Sequence, residues 1–353
     1  MLKIKLSQLR KYLQFRFGEA VKLKKATFLG SGFHGSSYRL DVDFPNGRRE
    51  VLVLKTLSGD GFGHDYPSDR AQVLLLANEE FNKLPSHIKS FDVIGIKDTG
   101  RIVSLTGSKE FAILMDEVEG TCHMENFNRI KKTKRLGRED MEREVRLAKY
   151  LADIHRVKHK NPSLYKRKLR DIIGHGECLM GVIDTYPKKV GFTNHRELGE
   201  IVQLAIPWWN RLKFSSRRLC QIHGDFYPGN IFFKGDEFTL IDRGRGPWGE
   251  AADDLTSYTI NYISHALWSE GKWGGPFKKM FLKFFEVYLK ESGDEEILKF
   301  MAPFFAFRGA VVVHPVFYPE IPAKAKKQVL NFIRNVLQEK EFCPSDVSLY
   351  LEA

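Results

Sequence analysis

Eleven residues from His223 to Phe233, HGDFYPGNIFF, carry the densest chemical signal in the chain: a carboxylate, Asp225, and a carboxamide, Asn230, five positions apart ahead of an apolar run. That pairing suits phosphoryl transfer. A hydroxyl that is to receive a phosphoryl group needs a basic or orienting carboxylate beside it, and the magnesium of a nucleotide needs hard oxygen ligands. Asp225 meets the first need and Asn230 the second. A short apolar strand follows, Phe238 to Ile241, and ends on Asp242, a second carboxylate able to reach the same metal. An ordinary turn rich in Asp, Asn, Gly and Pro is the competing reading of the first segment. The acidic strand end after it speaks for the chemical one.

Such residues need elements to hold them. Leu6, Leu9, Leu13 and Phe17 share one helical face, and Gly18 follows where a helix would stop. Residues Val21 to Leu29 read as a strand and lead into Gly30, Gly32 and Gly35, a GxGxxG. Tyr38 to Phe44 then alternates as a second strand, so these glycines join two antiparallel strands rather than open a helix. A bare hairpin of this kind is able to lie over nucleotide phosphates; a plain flexible turn is the alternative. Arg49 to Leu57 is a third strand with Lys55 near its end. A lysine in an apolar strand calls for an anion, which nucleotide phosphates would supply, or else reaches water along its stem. Residues Pro67 to Leu84 carry helical periodicity. A kinase-type lobe uses a glutamate on such a helix to hold the lysine, yet Asp69, Glu79 and Glu80 all lie away from its middle, so the partner stays unassigned. Phe111 to Met115 reads as a buried strand running into a linker whose Asp116 carbonyl and Val118 amide would meet an adenine edge, or which serves only as a connection between domains.

Composition bounds the rest. With 353 residues, 42% of them hydrophobic, the chain suffices for two domains without covalent staples. Cys122, Cys178, Cys220 and Cys343 are scattered and form no CxxC pair, which suits a reduced, cytoplasmic protein. No apolar run approaches the ~20 residues of a membrane span. The formal net charge of +12 fits an anionic partner such as a nucleotide. Its densest patch, Arg129 to Arg138, lacks interleaved aromatics and reads as a solvated face, so no nucleic-acid partner is expected. Segments 139–157, 255–268, 277–290, 296–307 and 323–339 carry helical periodicity, which makes the second half mainly α.

Taken in order, Gly30/Gly32/Gly35, Lys55, the MDEVEG linker, the helix ending LADIH, HGDFYPGNIFF, LID and DDL resemble the aminoglycoside phosphotransferase and choline kinase-like family over residues 6–260. The resemblance implies an α+β, two-lobed protein-kinase-like fold: a small antiparallel-sheet N-lobe over residues 1–118 and a larger, mainly helical C-lobe over 119–353. It also implies ATP and Mg2+ as cofactors, with Asp225 catalytic, Asn230 and Asp242 on the metal, and Lys55 on the phosphates. Asp254, in the DDL, would brace the catalytic loop through His223 or backbone amides.

Two features point to a small hydroxyl-bearing acceptor rather than a protein. Gly224 stands where protein kinases place an arginine before the catalytic aspartate, which removes the cation that answers an activation-loop phosphate. Only twelve positions separate Asp242 from Asp254, too few for an activation segment. Arg243 and Arg245, beside Asp242, depart from the family pattern. They would meet phosphates or an anionic acceptor, or form ion pairs with Glu250 or Asp253, the reading favoured here. A catalytically silent nucleotide-binding module and an atypical protein kinase are the alternatives. The acceptor and the oligomeric state leave no mark in the sequence.

Overall fold

Strands whose side chains alternate need cover on both faces, and the first part of the chain supplies a helix for each. A computed structural model of the protein describes residues 5–58, 64, 67–103 and 110–353. It divides into two compact units. The first begins with α1 (Leu6–Phe17), β1 (Lys22–Ser31), β2 (Gly35–Asp43) and β3 (Arg49–Leu57). After these come α2 (Pro67–Phe81), β4 (Ser90–Ile96), β5 (Ile102–Val103) and β6 (Glu110–Asp116). The six strands form one antiparallel sheet in the order β1-β2-β3-β6-β4-β5. On one face α1 buries Leu9, Tyr12 and Leu13 against Leu40, Leu52, Leu54 and Leu114. On the other, α2 buries Leu74, Ala77 and Phe81 against Val53, Leu57, Ile113 and Met115. Because side chains alternate along a strand, Lys55 shares the α2 face with Val53 and Leu57.

The second unit starts at Thr121. It contains β7 (Thr121–Cys122), α3 (His123–Thr133), α4 (Arg138–His155), α5 (Pro162–Gly174), α6 (Leu179–Asp184) and α7 (His195–Leu212). Two short strands follow, β8 (Cys220–Gln221) and β9 (Ile231–Lys234), the latter paired with β7. Next, β10 (Glu237–Leu240) and the residues up to Arg245 belong to the first unit, although the sequence had suggested the second domain for everything beyond residue 118. The chain then returns with β11 (Trp248–Gly249), α8 (Ala251–Glu270), α9 (Gly275–Ser292), α10 (Met301–Val312), α11 (Ala323–Gln338) and α12 (Val347–Tyr350). Every residue of α8 from Ala251 to Leu267 is buried, the mark of a helix enclosed on all sides, and α9 and α10 pack on it. Among the described residues no helix is long and apolar enough to cross a membrane.

One expected helix is displaced. Periodicity placed it over 296–307, whereas the structure forms a 3-10 turn at Glu295–Lys299, breaks at Phe300, and runs α10 on to Val312. Eleven of the twelve residues of α10 are buried, so no polar face marks its ends and the pattern lost its register. Arg308 falls inside the helix as a result.

Candidate active site

The residues singled out for chemistry fall in both units, and each half is built differently. In the first unit, the hairpin between β1 and β2 is closed by Gly32 N–H donating to Gly35 O at 2.9 Å. Gly35 is required by close approach: a Cβ there would lie 1.7 Å from the Thr56 carbonyl oxygen of β3. Gly32 faces open space, and Gly30 has φ +154. The three glycines therefore differ in kind, one demanded by packing, one by backbone conformation and one left bare.

Lys55 pairs across the sheet with Ser37 of β2 and Ile113 of β6. Its ammonium contacts the Asp242 carboxylate, 187 positions away in the chain. Both side chains are partly exposed. The partner that helix acids failed to supply is thus Asp242. The strand that carries it is fastened beside α2: Leu240 N–H donates to Ser86 O at 2.9 Å, Ile88 N–H to Leu240 O at 3.4 Å, and Ile241 packs on the α2-side core. Asp242 itself adopts φ +67, a left-handed conformation that aspartate accepts more readily than most residues. Arg243 turns inward, 1% exposed, donating to Glu80 O at 3.0 Å and ion-paired with the Glu80 carboxylate at 3.7 Å. In the other unit, Glu250 takes Arg218 and Asp253 takes Arg308. Helix acid Glu80 therefore anchors the segment next to Asp242 rather than Lys55.

At the end of β6, Asp116 N–H donates to Lys89 O at 3.3 Å and its carboxylate accepts from Lys89 N–H at 3.2 Å. Burial raises this carboxyl above the ordinary range, with the Lys89 amide opposing. Val118 packs against the α2-side core, and the intervening Glu117 amide donates to Val51 O at 3.3 Å.

In the second unit, the loop from His223 to Asn230 is held from several sides. Asn230 is 3% exposed and sits in the turn Pro228–Asn230. Its Nδ2 donates to the Asp225 carbonyl at 2.9 Å and lies 3.3 Å from Asp225 Oδ2. Asp254, fully buried in the first turn of α8, accepts the His223 amide on Oδ2 and the Gly224 amide on Oδ1, both at 2.7 Å. The bracing role expected of Asp254 is met through backbone amides. Burial alone would raise its carboxyl, but the His155 hydrogen bond and charge, with the His223 amide, hold it below the usual range. Glycine suits position 224 because its φ is +85.

Two contributors escaped the sequence reading. His155, the last residue of α4, bridges Tyr288 Oη at 2.8 Å and Asp254 Oδ2 at 3.2 Å. Arg308 of α10 donates from Nη1 to Asp225 Oδ1 at 2.5 Å. The absence of an arginine at position 224 therefore does not leave Asp225 without a cation; a distant helix brings one. A signal existed, since a lone arginine inside the apolar run MAPFFAFRGAVV must find carboxylates to be buried.

No family model matches the sequence, and no curated protein matches it. Solved structures do resemble the fold. An amicoumacin kinase, hAmiN, in complex with AMP-PNP, Ca2+ and Ami superposes with a TM-score of 0.57 at 12% identity, covering 96% of this chain and 96% of that one. A thermostable mutant of aminoglycoside phosphotransferase APH(4)-Ia, in ternary complex with ADP and hygromycin B, gives a TM-score of 0.54 at 11% identity over 94% of this chain and 99% of that one. The antiparallel-sheet unit and the mainly helical unit are thus those of the α+β, protein-kinase-like fold shared by the aminoglycoside phosphotransferases and related small-molecule kinases.

Proposed function

We propose that this protein moves the γ-phosphoryl group of Mg-ATP to a hydroxyl of a small-molecule acceptor. The observation that carries the reading is the Lys55–Asp242 contact: an ammonium and a carboxylate chosen on chemical grounds, 187 positions apart, meet beside a glycine hairpin. The donor set fits the implied groups. Asn230 spends its Nδ2 on the Asp225 carbonyl, so its hard Oδ1 oxygen is the group it would offer a cation, and Asp242 would add a carboxylate. Lys55 and the bare hairpin at Gly30, Gly32 and Gly35 suit phosphate oxygens, and the Asp116 carbonyl and Val118 amide suit an adenine edge.

When bound, magnesium would neutralise charge on the nucleotide's phosphates. The chain's own work is placement. Asp225 would receive the hydroxyl hydrogen bond and orient that oxygen toward the γ-phosphorus, accepting its proton as the new O–P bond forms and the bond from that phosphorus to the bridging oxygen breaks, with ADP as the leaving group. Asn230 and Asp242 would hold the metal, and Lys55 would hold phosphate oxygens. Such positioning and charge neutralisation account for most of the catalysis this reaction needs.

A screen of sugars, amino alcohols, nucleosides and aminoglycosides for acceptor-dependent ATP consumption tests the proposal. Asp225→Asn should abolish transfer yet bind Mg-nucleotide nearly as the wild type does, whereas Asp242→Ala should weaken nucleotide binding itself. Transfer by Asp225→Asn at the wild-type rate refutes the role of Asp225. Nucleotide binding without turnover of any acceptor favours the silent-module reading.

A further inference from the structure

Arg308 is the one charged residue in α10 and is 5% exposed. A buried guanidinium is tolerated only where its charge and donors are matched. Here they are matched almost entirely by one loop and its brace. Nη1 reaches Asp225 Oδ1 at 2.5 Å; Nη2 reaches Asp253 Oδ1 at 2.6 Å and Gly224 O at 2.8 Å; Nε reaches Asp253 Oδ1 at 3.1 Å. Burial would lower its proton affinity, yet the Asp253 and Asp225 carboxylates hold it above the ordinary arginine value, so the charge is permanent.

The neighbouring contacts give this arrangement a direction. Asp253 and Asp254 are consecutive in the first turn of α8. Asp254 accepts the Gly224 amide while Arg308, steadied by Asp253, donates to the Gly224 carbonyl, so residue 224 is clamped on both its N–H and its C=O. The remaining Arg308 contact falls on the Asp225 side chain, beyond the backbone that the clamp already fixes. Lysine would keep the charge but lacks the planar fork that spans two carboxylates and a carbonyl.

We infer that Arg308 is a positioning residue: its guanidinium, anchored by Asp253, fixes the orientation of the Asp225 carboxylate toward the acceptor hydroxyl. The inference rests on the proposed role of Asp225. It concerns which rotamer that carboxylate holds and so reaches no nucleotide contact.

The experiment is a double-mutant cycle on the full chain with an acceptor found by the screen. Arg308→Gln should lower kcat about 100-fold, the scale expected from misplacing a reacting group by an ångström, with nucleotide Kd and the KM for ATP within about twofold of wild type. Arg308→Lys should recover only part of the loss. In the Asp253→Asn background, where the guanidinium has already lost its anchor, Arg308→Gln should cost at least about tenfold less than in the wild type. A folded Arg308→Gln protein with wild-type kcat overturns the inference, and so does an equal loss in both backgrounds. Should Arg308→Gln fail to fold, Asp253→Asn, which frees the anchor and leaves Arg308 and Asp225 in place, must lower kcat with nucleotide Kd unchanged; unchanged kcat overturns the inference. If the wild type serves no acceptor, the functional proposal fails separately. The positioning claim is then read from the 13C-carboxylate resonance of Asp225, expected to move or broaden in Arg308→Lys and refuted if it does not.

Discussion

Replacing Asp254 with alanine tests the architecture of the catalytic loop without reference to any substrate. The wild-type carboxylate receives two backbone amides at 2.7 Å, from His223 and Gly224, and lies 3.2 Å from His155 Nε2, all in a region closed to water. Hydrogen bonds to a charged acceptor contribute about 1.5–3 kcal/mol each, and a buried amide left unpaired loses that whole amount. The two amides alone therefore put the cost at about 3–6 kcal/mol. His155 keeps Tyr288 Oη and adds less. For a unit of 150–250 residues each kcal/mol moves Tm by roughly 2–4 °C, so the helical unit should melt about 6–24 °C lower. Asp254→Asn keeps one acceptor oxygen and should lose about half as much. Calorimetry gives the shift, and hydrogen exchange at the His223 and Gly224 amides locates it, since their protection should vanish in Asp254→Ala. Melting within 2 °C of wild type with both amides still protected would refute the reasoning.

Gly35→Ala should destabilise the sheet unit by roughly 2–4 kcal/mol, because its Cβ would meet the Thr56 carbonyl at 1.7 Å and backbone cannot yield as a side chain does. Gly32→Ala, with nothing within 4 Å, should stay within about 0.5 kcal/mol of wild type; equal urea midpoints for the two variants would contradict the packing argument. His265, buried among Phe127, Trp268 and Phe277, donates Nδ1–H to Asn261 O at 2.8 Å and is pushed down to about 4 by burial. The unfolded chain, titrating near 6.5, binds the extra proton between those values, so stability falls as pH drops from 6.5 to 4, by on the order of 3 kcal/mol for this residue. His265→Phe should flatten that dependence in urea unfolding, and an unchanged slope would exclude His265 as its source.

What the sequence determined by itself were features set by local chemistry. The period-2 runs of β1 to β3, the helical face of Leu6, Leu9, Leu13 and Phe17, and the GxGxxG between two strands all follow from residues close in the chain, and the structure forms these elements within a few residues of the expected bounds. HGDFYPGNIFF was legible for the same reason: Asp225 and Asn230 lie on one short loop whose backbone joins them. Asp254 was found because a motif carries it.

Only the tertiary structure decided which charges meet. Lys55 takes Asp242, Arg243 takes Glu80, and Arg308 takes Asp225 and Asp253, each across more than fifty residues of chain. Periodicity records which face of an element is apolar, but it holds no information on what packs against that face. In α10 even this fails, because a helix buried all round has no polar side to set its register, and the residue that grips the candidate catalytic carboxylate was hidden there. The grouping of residues 237–245 with the sheet unit has the same origin: Leu240 bridges His87, far away in sequence, a contact that local pattern does not record.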